Sequence, residues 1–193
     1  MSTLAPPRTE PREATAPFVV VPAGIDALEK AAERLAARGD VVHETWESAH
    51  AGGQPYGGVV IGLPLCAEDC ARSAAHRVVD DVWHQLVDLL PDLAEPAHVL
   101  LVVTRPSGSK RPRKLLVEMG HALEMLERRA STDHGLPLTV NAVDLGSSCP
   151  ADRMAAQICQ LIRHRSLVAS GIVVDCAELD GDTLVDAILA EAL

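Results

Sequence analysis

Apolar positions along this chain follow two alternating rhythms. Short runs rich in β-branched residues occur at Phe18–Val21, Val59–Leu63, Val99–Val103, Leu138–Val143 and Ile172–Asp175. Between them, apolar residues recur every three or four positions, as in Ile25, Leu28, Ala32 and Leu35, where Gly39-Asp40 then ends the pattern. The first rhythm predicts strands and the second predicts helices. Val41–Thr45 adds a further strand. Helices are predicted over residues 68–90 (with Val78, Val82, Leu86 and Leu89 apolar), over Leu115–Arg129, after Arg153, and from Asp182 to the end. The segment Ser48–Gly58 reads as a loop too short to hold a helix. Strands that are apolar throughout and alternate with helices imply a parallel sheet covered on both faces. The expected architecture is an α/β three-layer sandwich with a mostly parallel sheet of about six strands. Residues 1–16, rich in Pro, Thr, Glu and Arg, read as a disordered tail, leaving residues 17–193 as a single domain.

Composition narrows the function classes. Hydrophobic residues make up 48% of the 193, but aromatics only 2%, so the core must be built from Ala, Val and Leu. Few aromatics disfavour a stacking platform for single-stranded nucleic acid. A formal net charge of −10 disfavours general binding to nucleic acid or anionic membranes. No apolar run reaches the roughly 18 residues of a membrane-spanning helix, and the first residues have no apolar signal-peptide core. The chain therefore reads as cytoplasmic, and its five cysteines as reduced thiols.

Val140-Asn141-Ala142-Val143-Asp144-Leu145-Gly146 resembles the "VNAVxPG" segment of the short-chain dehydrogenase/reductase family, with Leu145 in place of its Pro. Ala169-Ser170-Gly171-Ile172-Val173-Val174-Asp175 resembles that family's last strand, with Cys176 where Gly is usual. The likeness covers roughly residues 74–176 and implies a reduced Rossmann-like fold. Other family features are missing from this sequence. The Gly-rich first turn is replaced by Val21-Pro22-Ala23-Gly24-Ile25-Asp26, in which Asp26, read as the helix cap, puts a negative charge where a phosphate would sit. The family's Tyr-x-x-x-Lys pair has no counterpart. The only tyrosine is Tyr56, far upstream, and Lys114 and Glu118 fit neither order nor chemistry. Thr104 stands near the family's Ser. The resemblance thus implies that NAD(P) binding is lost and that no catalytic residues remain. A shorter stretch, Val102-Val103-Thr104-Arg105, is similar to the truncated structural subdomain of polyketide ketoreductases, which supports a catalytic partner. The leading expectation is a non-catalytic subunit that pairs with a catalytic short-chain reductase, as a heterodimer, or with itself as a homodimer. In the family, pairing uses the two long helices, so Trp83, Leu86, Met119, Leu123 and Leu126 are candidate interface residues. The plainer reading is that they cover their own sheet.

Other groupings are weaker. The cations Arg105, Lys110, Arg111, Arg113 and Lys114 cluster in an acidic protein and could hold a coenzyme A phosphate or meet an acidic acyl carrier protein. An acyl-thioester or carrier-protein binder is therefore the alternative function, with an NAD(P)-dependent reductase of atypical site behind it. Against this stands a simple solvated loop. Cys66 and Cys70, with His76 and His84, have a helical spacing that zinc can use, but lack a second tight pair; two small residues at a helix start are the better explanation, and no metal is expected. Cys149, Cys159 and Cys176 read as packing or incidental positions.

Overall fold

In a computed structural model of the protein, residues 16–52, 55–66, 69, 75–106, 113–146, 149–164, 169–179 and 181–192 are described. Strands β1 (Phe18–Val21), β2 (Val42–His43), β3 (Tyr56–Pro64), β4 (Leu93–Thr104), β5 (Leu138–Asp144) and β6 (Val173–Asp175) alternate with helices α1 (Asp26–Ala37), α2 (Trp46–Gly52), α3 (Ala75–Leu86), α4 (Arg113–His134), α5 (Ala151–Ile162) and α6 (Leu184–Glu191). The strands form one six-stranded sheet in the order β2-β1-β3-β4-β5-β6. Every neighbouring pair is parallel. The predicted α/β sandwich and its strand count agree with this sheet.

Side chains of successive strand residues point to opposite faces, and this splits the core in two. Val19, Val59, Ile61, Val99, Leu101, Val103, Val140 and Ala142 pack beneath α3 and α4. Phe18, Val20, Val60, Leu100, Val102 and Val143 pack beneath α1, α5 and α6. The central strands are largely apolar because each face of the sheet has a helical layer to cover. On one face, Cys159 Sγ meets the Ala31 carbonyl at 3.4 Å, while Lys30 and Arg34 reach Asp152 at 2.8 and 3.4 Å. On the other, Arg129 pairs with Asp80 at 2.7 Å.

Three element predictions need correction. Ser48–Gly58 is not all loop, since α2 occupies Trp46–Gly52. The hydroxyl of Thr45 accepts from the Ser48 amide at 3.1 Å and the Ser48 hydroxyl donates to the Thr45 carbonyl at 2.9 Å, so a local cap stabilises a helix that buries only Ala49. The helix expected over 68–90 ends at Leu86 and tightens into a 3-10 segment, Val87–Asp92, that contains Pro91; its start lies partly outside the described residues. Strand β4 begins at Leu93, not Val99. Its pairing with β3 breaks between Tyr56 and Gly58, within the stretch Leu93–His98 that contains Pro96, which has no N–H for the ladder.

Candidate functional site

Because all six strands are parallel, their C-terminal ends line one edge of the sheet. In open sheets of this kind ligands bind outside that edge, at the point where strand order reverses. Here the reversal falls between β1 and β3. That point is occupied by the chain itself. Pro22–Ile25 forms a tight turn, with Ala23 at φ 51° and Gly24 at φ 76°, closed by the Ile25 amide donating to the Pro22 carbonyl at 3.0 Å. The turn lies on Gly62 of β3. A Cβ at Gly62 would collide with the Pro22 carbonyl oxygen and sit 2.9 Å from its carbon and 3.2 Å from Ile25 Cδ1. Ile25 is buried and is the N-cap of α1, with extended φ and ψ and no side-chain cap. Asp26 is therefore not the cap, as the sequence suggested. It is an exposed acid in the first turn of α1, still carrying negative charge at the positive end of the helix dipole.

A cleft of about 220 Å³ opens beside this turn, between the N-terminal ends of α1 and α5. Thr104, Leu145 and Gly146 line it from the ends of β4 and β5, and Cys149 lines its rim. It is smaller than the roughly 300–1,000 Å³ typical of ligand pockets. Beside Gly146 lies a buried ion pair. Asp144, at the end of β5, is 1% exposed, and the Arg105 side chain is 9% exposed. Arg105 Nε donates to Asp144 Oδ1 at 3.1 Å and stands 2.8 Å from Oδ2. Only the Oδ1 contact is aligned as a hydrogen bond; the other is electrostatic. Oδ1 also accepts from the Gly146 amide at 2.9 Å, and Gly146 takes a left-handed φ of 60°, which glycine adopts without strain. Asp175 of β6 is the register partner of Asp144 and accepts from the Ala177 amide at 2.8 Å.

The predicted cationic loop is thus altered at its first member: Arg105 is held by Asp144 and is not an open anion site. Lys110 and Arg111 lie outside the described residues. Arg113 and Lys114 open α4, and their side chains lie outside the description as well. Tyr56 is fully buried at the start of β3, on the N-terminal edge of the sheet. It donates to the Ala49 carbonyl at 2.5 Å. Burial and the nearby Asp92 carboxylate push its phenol above the ordinary tyrosine range. The eight residue steps to Pro64 put it roughly 25 Å from the C-terminal edge, too far to serve chemistry there.

Of the candidate interface residues, Leu86, Met119, Leu123 and Leu126 are spent on the chain's own core, each 2% exposed or less. The expected role is corrected for these four: they cover their own sheet. Trp83 is half-buried on the outer side of α3, with the Arg129 guanidinium 6.0 Å from its ring centre and His134 at 5.9 Å. Trp83 and Met125, the latter 42% exposed, line the groove between α3 and α4, whereas Val117, 55% exposed, lies on the other side of α4 beside Gly171–Val173. Cys66 is exposed, and its amide donates to Asp69 at 2.9 Å; Cys70 lies outside the described residues. Among the described residues no three His, Cys, Asp or Glu side chains converge as a metal site. Nor is any described helix long and apolar enough to cross a membrane.

Two groupings escaped the sequence reading. Asn141, buried in β5, donates to the Ala169 carbonyl at 2.8 Å and accepts from the Ile172 amide at 3.1 Å. It ties β5 to the segment entering β6, and a polar residue inside a buried strand was the available signal. Met154 and Cys176, 22 residues apart, bring their sulfurs to 3.1 Å where α5 begins and β6 ends, for which the sequence offers no signal.

The sheet order and the two helical layers define a doubly wound, Rossmann-like α/β protein. No protein-family model matches the sequence, and no curated protein matches it. Among solved structures, the fold is similar to the crystal structure of a small-chain dehydrogenase, with 13% identity, a TM-score of 0.50, and coverage of 83% of this chain and 95% of that one. BdcA (YjgI) from E. coli aligns at 15% identity and a TM-score of 0.48, covering 84% of this chain and 98% of that one. The first likeness shows a short-chain-dehydrogenase-like fold, and at this identity it shows the fold alone.

Proposed function

We propose that this chain is a non-catalytic, short-chain-reductase-like subunit. It pairs through the outer faces of α3 and α4 with a catalytic short-chain reductase, or with a second copy of itself. In the hetero-pair it stabilises or shapes a partner site that acts on carbonyl or acyl-thioester substrates. The observation that carries this reading is the closed switch point. The Pro22–Ile25 turn lies on Gly62 with no space for one added carbon, where a dinucleotide's pyrophosphate would need open backbone amides. Two further features support it: Asp26 stands in the first turn of α1 at the cleft, and the sole tyrosine is buried at the opposite edge. Fold likeness alone does not transfer an activity.

Co-expression with a short-chain reductase that has intact Gly-rich and Tyr/Lys motifs tests the pairing. The expected result is co-elution that Met125→Glu abolishes without lowering the melting temperature of the isolated chain. A chain that stays monomeric alone and beside such reductases would sink the pairing. Saturable NADH or NADPH binding by calorimetry would overturn the non-catalytic reading.

A further inference from the structure

The sheet has an open edge at β6. Ile172 turns its carbonyl to the Ala142 amide at 2.9 Å, and its own amide donates to the Asn141 side chain at 3.1 Å. Backbone groups of successive strand residues point to opposite sides, so Val173 directs its N–H and C=O away from β5. Among the described residues no strand pairs with that side. Beside this edge lies a groove of about 700 Å³, walled by Leu116, Val117 and Gly120 of α4 and by Gly171, Ile172 and Val173. Two glycines set its floor. A Cβ at Gly120 would stand 3.4 Å from the Gly171 carbonyl oxygen, so α4 lies close against the segment entering β6. Exposed Val117 and half-buried Val173 offer apolar surface there. The rim is acidic. Glu178 and Glu191 line it, and both are exposed. Glu124 also reaches Gly171, with His121 at 4.0 Å from its carboxylate. Helix α6 ends at this rim with no basic residue in its last turn, so the negative end of its dipole adds to the carboxylates.

We propose that the β6 edge docks an extended segment of a partner protein in which Lys or Arg alternates with apolar residues. An unpaired strand edge is a template for another chain, and the segment adds to it as one further strand through the outward groups of Val173. The alternation follows from the two layers. Helix α4 covers one face of the sheet and α6 the other, and successive side chains of an added strand point to opposite faces. One set therefore meets Leu116 and Val117, and the other meets Glu178 and Glu191. A second copy of this chain fits less well. Pairing β6 with its own symmetry mate would set Glu178 and Glu191 of both copies along one seam, and like charges across a strand pair destabilise it. The edge is separate from the α3–α4 groove of the proposed pairing, on the other side of α4.

The test uses the full chain and a fluorescein-labelled peptide of about six residues alternating Val and Lys, the length of an ordinary strand. Fluorescence anisotropy should show saturable binding at low salt. A peptide alternating Val and Glu should bind far more weakly, and methylation of every backbone amide of the Val and Lys peptide should abolish its binding. Glu178→Lys combined with Glu191→Lys should weaken that peptide by about tenfold, the scale of two exposed ion pairs turned repulsive. Met125→Glu, in the α3–α4 groove, should leave its affinity unchanged. All three substituted residues are exposed, so these variants should fold, and circular dichroism would verify this. Absence of saturable binding, equal affinity for the Val and Glu peptide, or undiminished binding after methylation would overturn the proposal. So would an unaffected Glu178→Lys, Glu191→Lys double variant, or loss of binding in Met125→Glu. A dimer of the isolated chain that Val117→Lys dissociates would give the edge to a second copy and overturn it as well.

Discussion

Replacing Arg105 by Leu should be among the most damaging single changes at the C-terminal edge of the sheet. The guanidinium is 9% exposed and its partner carboxylate 1%, so water cannot take over when the cation goes. Removing one member of a buried pair typically costs about 3–5 kcal/mol, because the other charge stays behind uncompensated. For a domain of this size each kcal/mol moves the melting temperature by roughly 2–4 °C, so Arg105→Leu should lower it by roughly 6–20 °C. The instructive variant is the double one. Asp144→Asn removes the charge but keeps an oxygen for the Gly146 amide, which donates to Asp144 Oδ1 at 2.9 Å. Arg105→Leu with Asp144→Asn should therefore recover most of the loss, leaving a coupling of about 2–3 kcal/mol in a double-mutant cycle. Urea unfolding of the four proteins would measure it. If Arg105→Leu costs less than about 1 kcal/mol, or if the two single costs simply add, the pair is solvated. Arg105 would then be available again as an anion-binding residue.

Two other changes probe the rest of the edge and the fold behind it. Gly62→Ala should destabilise by about 1–3 kcal/mol through a backbone clash with Pro22, read as a lower urea midpoint; an unchanged midpoint would mean that the β1–α1 turn does not seal the switch point. Tyr56 should titrate above pH 10, its ordinary value, in a near-ultraviolet titration that reports this residue alone because it is the chain's only tyrosine. Its phenol binds its proton more tightly folded than unfolded, so its contribution to stability is full below pH 10 and is lost as pH rises through the folded value. Tyr56→Phe should cost about 1–2 kcal/mol near neutral pH by unpairing the Ala49 carbonyl and should weaken that alkaline loss; an unaltered alkaline profile would refute this.

The fold was legible because burial on both faces writes itself into each strand. Val59–Leu63 and Val99–Val103 admit almost no polar residue, as parallel strands covered on both faces require. The failures were local. Helix α2 was missed since its only buried residue is Ala49, so no apolar period exists to detect, and the Thr45–Ser48 cap was the sole cue. The start of β4 was missed because Leu93-Ala94-Glu95-Pro96 pairs at only one point, Tyr56 with Leu93. The candidate site was harder for a different reason. A charge cluster in sequence does not say which of its members the fold will neutralise. Arg105 and Asp144 are 39 residues apart, and Asp144 read as part of a strand-end motif. The same holds for Asp144 and Asp175, 31 residues apart and neighbours in register. What brings each pair together is the parallel register of β4, β5 and β6, which delivers every residue just past a strand end to one edge. In a fold of this kind, polar residues one to six positions beyond each apolar run should therefore be compared across strands, since the topology makes them neighbours. Applied to this chain, that comparison joins Thr104, Arg105, Asp144, Cys149, Asp175 and Cys176, six residues that no local motif groups.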